Sequence, residues 1–350
     1  MKINLIGKSK IEISSLGMGC WSYGGGKYWG TQSQTDVNAI VQTALDYGIN
    51  YFDTAEVYND GESERSLGIA LKTRRSNAVI GTKISPTNVR KETLKTHCEK
   101  SLSRLNTDYI DIYMLHWPIN KKSINHFSTK QSNLEKLPSI EEVFNGLIEL
   151  QKEGKIREIG ISNHGLKQMN EIAKAGIYIA VNELPYNLIS RAIEKDILPY
   201  CYKNKIAVMG YMALQQGVLA GKYNDFEKIR PSQAHSRHFH FSRGGIESRH
   251  GETGAENEIQ ELIKVIQEIS DELNIPFTTV SLAWAMSNEK IANTLVGSRK
   301  ITQLMMNFNA AEYVLPIDAI RRLNTSSQHV WDVLGNNPDY YENRNDSRIW

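Results

Sequence analysis

Cysteine is scarce in this sequence, and the spacing of the few cysteines excludes two kinds of site. The chain contains only Cys20, Cys98 and Cys201 in 350 residues. Their odd number and wide separation allow neither a disulfide framework nor a Cys-x-x-Cys metal site. Because disulfide-poor chains are typical of reducing compartments, we expect a cytoplasmic protein.

Long apolar runs and a strong charge imbalance are also missing. No stretch approaches the ~18 apolar residues of a membrane span, and the opening MKINLIGKSKIEIS alternates polar and apolar residues instead of forming a signal peptide. The net charge of +2 gives no indication of a nucleic-acid partner. With 40 % hydrophobic and 23 % charged residues, the composition is that of an ordinary globular protein without a membrane partner.

Strand-like apolar runs alternate with helical patterns along the whole chain. INLI and IEIS, on either side of a turn at residues 7–10, predict an N-terminal β-hairpin. Eight further strand-like runs follow, most of them separated by a helical pattern: LGMGCW, YFDT, VIGTK, YIDIYMLH, IREIGISN, YIAVNELPY, IAVMGYMAL and TLVGS. This order predicts an α/β protein, a single (β/α)8 TIM barrel over residues 1–350 with a helical C-terminal extension at 312–350.

Two segments interrupt the alternation. Residues 119–138 are polar and irregular, which predicts an insertion after the fourth strand. Residues 222–256 predict a long loop or lid after strand seven, at the C-terminal mouth of the barrel. Its basic side chains would suit a polar lid over a hydroxylated or anionic substrate, or simply a surface loop: Arg237, His238, His240, Arg243, Arg249 and His250. Zinc binding has no support from partner spacing, and we predict no metal.

Polar side chains end three consecutive predicted strands. Asp53 ends YFD, Lys83 ends VIGTK and His116 ends YIDIYMLH, while Tyr58 follows Asp53 by five residues. The C-terminal strand ends of a barrel meet at one mouth, so we expect these side chains to lie together. A tyrosine with a pKa near ~10 needs a nearby cation to donate a proton at neutral pH. Lys83 can supply that charge, Asp53 can orient it, and His116 can bind a substrate oxygen, which predicts a proton-transfer site.

Several stretches, in the order in which they occur, resemble the aldo-keto reductase family. They are LGMGCW, DTAEVYNDGESERSLG, VIGTK, LHWP, GKIREIGISN, PYNLISR and VGSRKITQLMMN, and the resemblance runs from about residue 2 to about residue 311. It implies the same barrel and an NADPH-dependent oxidoreductase that reduces an aldehyde or ketone. The absence of a GxGxxG motif after a strand agrees with a cofactor site of this kind. The DTAEVY, YNLISR and GSRK stretches are closest to microbial members that act on sugars and aldehydes.

The resemblance also implies roles for individual residues. Asp53, Tyr58, Lys83 and His116 match the catalytic tetrad, with Tyr58 as the general acid. Glu183 stands where the family often has Gln, although a carboxylate can only accept hydrogen bonds. Arg299 would hold the 2′-phosphate, which favours NADPH/NADP+ over NADH. The implied cofactor positions are Gly19, Cys20, Trp21, Ser162, Asn163, Glu183, Tyr211, Met212, Leu214, Gly297, Ser298, Arg299, Gln303 and Asn307.

Aromatic residues at the strand ends predict the substrate pocket. Trp21 and Trp117 would line it together with Tyr58 and His116, and Tyr23 or Trp29 could contribute. We expect a small carbonyl or alcohol as the partner, and the sequence leaves the oligomeric state open. Two alternatives are a regulatory protein that keeps the fold and turns over slowly, as the potassium-channel β subunits do, and an aldolase that forms a Schiff base on Lys83.

Overall fold

Eight parallel strands close into a barrel, as predicted from the order of strands and helices. The computed structural model describes residues 1–128, 137–223 and 225–350. An antiparallel pair, β1 and β2, precedes the barrel, and β10 pairs with β3 to close it. The strands are β1 (Ile3–Leu5), β2 (Glu12–Ser14), β3 (Leu16–Gly19), β4 (Tyr51–Asp53), β5 (Val79–Ile84), β6 (Ile110–Leu115), β7 (Ile156–Ser162), β8 (Val181–Pro185), β9 (Ala207–Tyr211) and β10 (Ile291–Val296). The predicted TIM barrel and its N-terminal hairpin are therefore confirmed.

Helices cover the outside of the barrel and present apolar stripes to the strands. In the first helix, Ser33 caps the N-terminus by accepting a hydrogen bond from the Asp36 amide, and Val37, Ile40 and Ala44 are buried on one face. In the described residues the α-helices are α1 (Gln34–Asp46), α2 (Glu62–Leu71), α3 (Lys91–Leu105), α4 (Lys121–Phe127), α5 (Ile140–Lys152), α6 (Leu166–Lys174), α7 (Ile197–Lys203), α8 (Phe241–Gly244), α9 (Glu256–Leu273), α10 (Phe277–Ser287), α11 (Ile301–Glu312) and α12 (Ile317–Leu334). None of the helices in these residues is long and apolar enough to cross a membrane.

The lower half of the barrel is filled by large side chains that meet glycines on the neighbouring strands. A Cβ at Gly81 would lie 2.1 Å from the Tyr51 hydroxyl oxygen, and one at Gly160 would lie 2.6 Å from Met114. The hairpin supplies Ile6 and other buried residues to the same apolar cluster. This end of the barrel is therefore a packed core, and the polar residues collect at the other end.

The predicted irregular insertion at 119–138 begins with a helix. Helix α4 starts after Asn120, whose side chain accepts a hydrogen bond from the Ser123 amide. The prediction of irregular structure is therefore wrong for residues 121–127, because an N-cap and a short apolar turn suffice for a helix that packing stabilises. Residues 129–136 of the predicted insertion lie outside the described residues.

The segment at 222–256 is folded against the protein instead of presenting free cations. Arg237 is fully buried, and its guanidinium donates to the carbonyls of Leu334 and Asn337 at 3.0 and 2.8 Å. His238 is buried too, with its ring 2.9 Å from the Ile189 carbonyl oxygen. For these two residues the prediction of donors facing a substrate is wrong, because buried backbone carbonyls need partners and the two side chains supply them.

The other basic residues of this segment also have partners within the chain. Arg243 forms a two-bond pair with Glu256, and Arg249 lies 2.6 Å from Glu342. The segment contains helix α8 and short 3-10 turns, and the pair between Arg249 and Glu342 connects it to the C-terminal tail. His240 bonds Ser242, whereas His250 is buried.

The C-terminal extension is a helix followed by a tail that returns to the barrel mouth. After α12 the chain runs back to Arg348, whose guanidinium stacks on the Trp117 ring at 3.7 Å and pairs with Asp339 at 2.7 Å. The Arg348 carbonyl accepts hydrogen bonds from the Asn120 and Gln168 side chains. The extension therefore forms part of the wall around the mouth.

The contact between Gly81 and Tyr51 can be tested through stability. Gly81→Ala places a methyl group against a fully buried phenol, so we expect a loss of about 1–3 kcal/mol in the free energy of unfolding, measured by urea denaturation. Gly251→Ala is the matched control, since a Cβ there would meet no atom within 4 Å. Equal stability of the two variants would contradict this account of the interior.

Candidate active site

Lys83 is the centre of a charged cluster inside the barrel mouth. It lies near the end of β5 and is completely buried, with its Nζ 2.5 Å from Asp53 Oδ1 and 3.0 Å from the Thr54 carbonyl oxygen. The Tyr58 hydroxyl is 3.5 Å from the same nitrogen. The four side chains predicted from the strand ends are thus gathered at one mouth, with the Tyr58 and His116 rings 5.7 Å apart.

The position of Tyr58 depends on the turn after β4. Tyr58 begins a 3-10 turn (Tyr58–Gly61) in which Asn59 has a φ of 50°, a conformation that Asn tolerates better than most residues. The Asn59 side chain donates to the carbonyls of Trp21 and Tyr23 at 2.8 and 2.9 Å. The loop after β3 is therefore tied to the turn that carries Tyr58.

Glu183 is a second acidic neighbour of Lys83, which the sequence did not reveal. It lies on β8 opposite Ser162 of β7, and its Oε1 is 3.4 Å from Lys83 Nζ. The side chain is 3 % exposed, and Oε2 has no hydrogen-bond partner. Lys83 therefore has two carboxyl neighbours, which come from strands at opposite positions in the barrel and lie within hydrogen-bonding reach of each other.

Burial and charge act against each other in this cluster. Burial lowers the pKa of Lys83, but the adjacent carboxyl groups of Asp53 and Glu183 raise it by more, so the amine stays protonated. Burial, followed by the charge of Asp53, raises the pKa of Glu183 well above its usual range. Burial also raises the pKa of Tyr58, with the charge of Lys83 only partly opposing it. Lys83 therefore lowers the pKa of Tyr58 as expected, but desolvation outweighs this effect, so the pKa is raised overall.

His116 is a neutral imidazole beside the tyrosine. Burial, together with the positive charge of Lys83, lowers its pKa well below the ordinary value. Its amide donates to the Ile84 carbonyl at 2.9 Å, whereas the side-chain Nδ1 is buried without a partner. A neutral imidazole offers one donor and one acceptor, which suits it to orient a carbonyl oxygen.

Three of the implied cofactor positions lie around Glu183. Ser162 donates through its hydroxyl to the Glu183 carbonyl at 3.0 Å. Asn163, with a φ of 61°, accepts a hydrogen bond from the Tyr211 hydroxyl at 2.7 Å. The ends of β7, β8 and β9 therefore form one connected polar surface at the mouth.

The turn after β10 brings together four of the implied cofactor positions. The Asn307 side chain donates to Ser298 Oγ at 3.0 Å, and Gln303 Oε1 accepts from the Arg299 amide at 2.8 Å. The Arg299 guanidinium donates to the Trp29 carbonyl and to two other acceptors in residues 29–32. Arg299 therefore bridges the β10 turn and the loop after β3, so a phosphate there would have to compete with these acceptors.

The remaining predicted cofactor positions lie on the adjoining strand ends. Gly297 and Gly19 face each other closely, since a Cβ at Gly297 would lie 3.4 Å from the Gly19 carbonyl oxygen. The Cys20 amide donates to the Asp53 carbonyl at 2.8 Å, and Met212 has a φ of 58°. Leu214 follows β9, and its carbonyl accepts from the Gly217 amide.

Aromatic rings line the mouth of the barrel, but the ring of Tyr23, which was among the candidates, does not reach it. Trp21 stacks on Tyr28 at 4.9 Å and meets Trp29 edge-on at 5.3 Å, whereas Tyr23 is fully buried below them. Trp117 lies under Arg348. Further residues at this mouth that the sequence reading missed are Tyr28, Phe127, Tyr341 and Arg348. Only their aromatic or cationic character could have suggested them, and Tyr341 and Arg348 reach the mouth only because the C-terminal tail packs there.

Comparison with known proteins agrees with this geometry. The sequence profile of the aldo/keto reductase family matches residues 15–328. The chain belongs to the aldo/keto reductase family. It is accordingly an oxidoreductase that reduces carbonyl groups with a nicotinamide cofactor, and its partner is a small molecule. Within the described residues, no three His, Cys, Asp or Glu side chains are grouped to bind a metal ion.

Individual relatives align with different shares of the chain. An aldo-keto reductase of Bacillus subtilis is 34 % identical over 64 % of this chain and 66 % of its own length. An NADH-specific methylglyoxal reductase of Escherichia coli is 30 % identical over 89 % of this chain and 93 % of its own. The crystal structure of an aldo-keto reductase from Klebsiella pneumoniae in complex with NADPH has a TM-score of 0.70 and 25 % identity, covering 93 % of this chain and 95 % of that one.

Removing the buried ammonium group of Lys83 should lower the stability of the protein. Lys83→Met leaves two carboxyl groups out of water without their counter-ion, so we expect a loss of about 3–5 kcal/mol in the free energy of unfolding. Adding Asp53→Asn should restore part of it, because the remaining Glu183 can hold a proton. Lys95→Met is the control, since Lys95 pairs with Glu153 at the exposed surface. Unchanged stability of Lys83→Met would contradict the cluster.

Proposed function

We propose that this enzyme reduces a small, polar aldehyde or ketone with NADPH, and that Tyr58 donates the proton to the carbonyl oxygen. The observation that carries the proposal is the contact of the Tyr58 hydroxyl with buried Lys83, 3.5 Å away, beside His116 at the barrel mouth. A carbonyl oxygen that accepts a hydride becomes a strongly basic alkoxide. A phenol with a raised pKa can still protonate such a base, and positioned acids typically contribute ~10²–10⁴-fold in rate.

The neighbours of Tyr58 have separate roles in this proposal. Lys83 keeps a positive charge next to the hydroxyl and stabilises the phenolate that forms when the proton leaves. Asp53 holds the ammonium in place at 2.5 Å. The neutral imidazole of His116 orients the carbonyl oxygen toward Tyr58 without competing as an acid.

The residues proposed to bind the cofactor lie at the ends of neighbouring barrel strands. When bound, NADPH supplies the hydride, and the protein supplies orientation and charge. Ser162, Asn163 and the unpartnered Oε2 of Glu183 would hold the carboxamide, and the N-terminus of the twelve-residue helix α11 would bind phosphate groups. Arg299 would bind the 2′-phosphate. The Klebsiella relative is in complex with NADPH and the Escherichia coli relative is NADH-specific by name, so relatives use either cofactor, and our choice of NADPH rests on Arg299.

We expect a small, polar substrate. Aromatic faces from Trp21 and Trp117 lie near Tyr58 and His116, whereas Arg348 above Trp117 is 1 % exposed and paired with Asp339 and so lends no support to a polar ligand. The Escherichia coli relative is named for methylglyoxal, a small polar carbonyl compound. A sugar-derived aldehyde fits the same chemistry, although the buried Arg237 and His238 of the 222–256 segment lend it no support.

The alternatives have less support. A Schiff base needs a free amine, and the carboxyl groups around Lys83 raise its pKa so that it remains an ammonium. A slow regulatory protein is supported by one relative, a putative voltage-gated potassium channel subunit beta of Schizosaccharomyces pombe that is 28 % identical over 88 % of this chain, whereas the charged cluster around Tyr58 supports catalysis. A cytoplasmic location stays a prediction, based on three cysteines that are buried and free.

Replacing the proton donor tests the proposal. Tyr58→Phe keeps the ring and removes the hydroxyl, so kcat for aldehyde reduction should fall at least ~10²-fold while NADPH affinity stays nearly unchanged. Steady-state NADPH oxidation with a panel that includes methylglyoxal and glyceraldehyde gives the rates. Tyr202→Phe is the control, because that ring is 66 % exposed on the outer surface. Near-normal turnover of Tyr58→Phe would refute the role.

Arg299 can be tested through cofactor discrimination. Losing a charged hydrogen-bond partner typically costs ~1.5–3 kcal/mol, so Arg299→Ala should weaken NADPH binding roughly tenfold or more and leave NADH little changed. Fluorescence titration with both cofactors measures this, and Lys300→Ala is the neighbouring control. An equal loss for both cofactors would mean that Arg299 only holds the loop at residues 29–32.

A further inference from the structure

In the proposed reaction, the only role of Glu183 is to contact the carboxamide of the cofactor. Its side chain is 3 % exposed, and Oε1 lies 3.4 Å from Lys83 Nζ. Asp53 contacts the same ammonium at 2.5 Å, is 6 % exposed, and has its carboxyl group within hydrogen-bonding reach of Glu183. Oε2 of Glu183 is buried and has no hydrogen-bond partner. The question for such a buried carboxyl group is whether it is ionised or protonated.

The charge balance of the cluster favours a proton on Glu183. Two ionised carboxylates and one ammonium would leave one uncompensated negative charge out of water, which is costly. A single proton on the carboxyl pair removes that excess. Burial and the charge of Asp53 raise the pKa of Glu183 well above its usual range, which agrees with this assignment. The titratable groups that face Glu183 are Asp53 on β4, Lys83 on β5, Tyr51, Tyr58 and Tyr211.

We propose that Glu183 stores the proton that carbonyl reduction consumes and passes it through Lys83 to Tyr58. The inference rests on the proposed role of Tyr58. Glu183 acts through Lys83, so it is a positioning residue and proton reservoir and not itself the acid that meets the substrate. The route follows the two contacts of Lys83 Nζ, 3.4 Å to Glu183 and 3.5 Å to Tyr58.

The step balances in atoms and charge. The carbonyl carbon gains a hydride from the reduced nicotinamide, and the carbonyl oxygen takes the proton of Tyr58. The Tyr58 phenolate then takes a proton from the Lys83 ammonium, which takes one from the Glu183 carboxyl group. The site ends with the alcohol, the oxidised cofactor, neutral Tyr58, the ammonium and an ionised Glu183, which regains a proton from water when the product leaves.

The ionised Glu183 compensates the charge that the reaction creates. Oxidised nicotinamide is positively charged and the reduced ring is neutral. Glu183 should therefore hold its proton with NADPH and lose it with NADP+. Glutamine, which the family often has here, cannot ionise, so Glu183→Gln removes the reservoir while keeping the shape of the side chain.

Proton release on cofactor binding tests the inference without relying on turnover. Calorimetric titrations near neutral pH, in two buffers of different ionisation enthalpy, count the protons released. The wild type should release up to about one proton more with NADP+ than with NADPH, and its NADP+ affinity should rise with pH by up to about tenfold per unit. The phosphates are common to both cofactors, so the difference in the number of protons released reports on groups of the protein.

Glu183→Gln should show no such difference. Glu158→Gln, on the same strand as Ser162 but lower in the barrel, should behave as wild type.

Two further measurements separate the possible failures. Infrared difference spectra of the cofactor-free wild type and Glu183→Gln should show one protonated carboxyl group that is lost in the variant. The same proton difference in Glu183→Gln and wild type, or the absence of that carboxyl band, would overturn the reservoir. Tyr58→Phe should keep the proton difference, because release on binding does not use the phenol. Turnover by Tyr58→Phe would instead refute the proposed function, whatever Glu183 does.

Discussion

The ammonium of Lys83 lies entirely out of water, and the arrangement of the mouth depends on keeping it charged there. An isolated charge would be far too costly at this depth. Asp53 and Glu183 offset that cost, and they come from β4 and β8, which lie on opposite sides of the closed barrel. The charged cluster therefore exists only when the barrel is closed.

The packed lower barrel makes this charged upper layer possible. Tyr51 and Met114 fill the space that Gly81 and Gly160 leave, and the hairpin covers the far end. Water is thereby excluded from below, which strengthens every electrostatic interaction at the mouth. The same exclusion raises the pKa of Tyr58 more than Lys83 lowers it, so the tyrosine works as an acid through its position next to a cation.

The parts of the protein that sequence predicts well are those encoded locally. The strand ends at Asp53, Lys83 and His116 follow from short apolar runs, and the common mouth follows from parallel strands. The pairing of Glu183 with Lys83 spans the barrel, and no local pattern reports a distance of that kind. The positions of Arg237 and Arg348 were likewise not predictable, because a cation in a polar segment looks exposed until the chain that supplies its buried carbonyl or carboxylate partners is known.

The depth of the charged cluster also determines how the enzyme should respond to its ionic surroundings. Mobile ions screen charges that water can reach and have little effect on pairs from which water is excluded. Lys83, Asp53 and Glu183 are 0–6 % exposed, so dissolved salt does not reach their interactions. Arg299 lies at the solvent edge and faces a phosphate in our proposal. Ionic strength should therefore weaken the capture of the nucleotide and leave the proton-transfer step almost untouched.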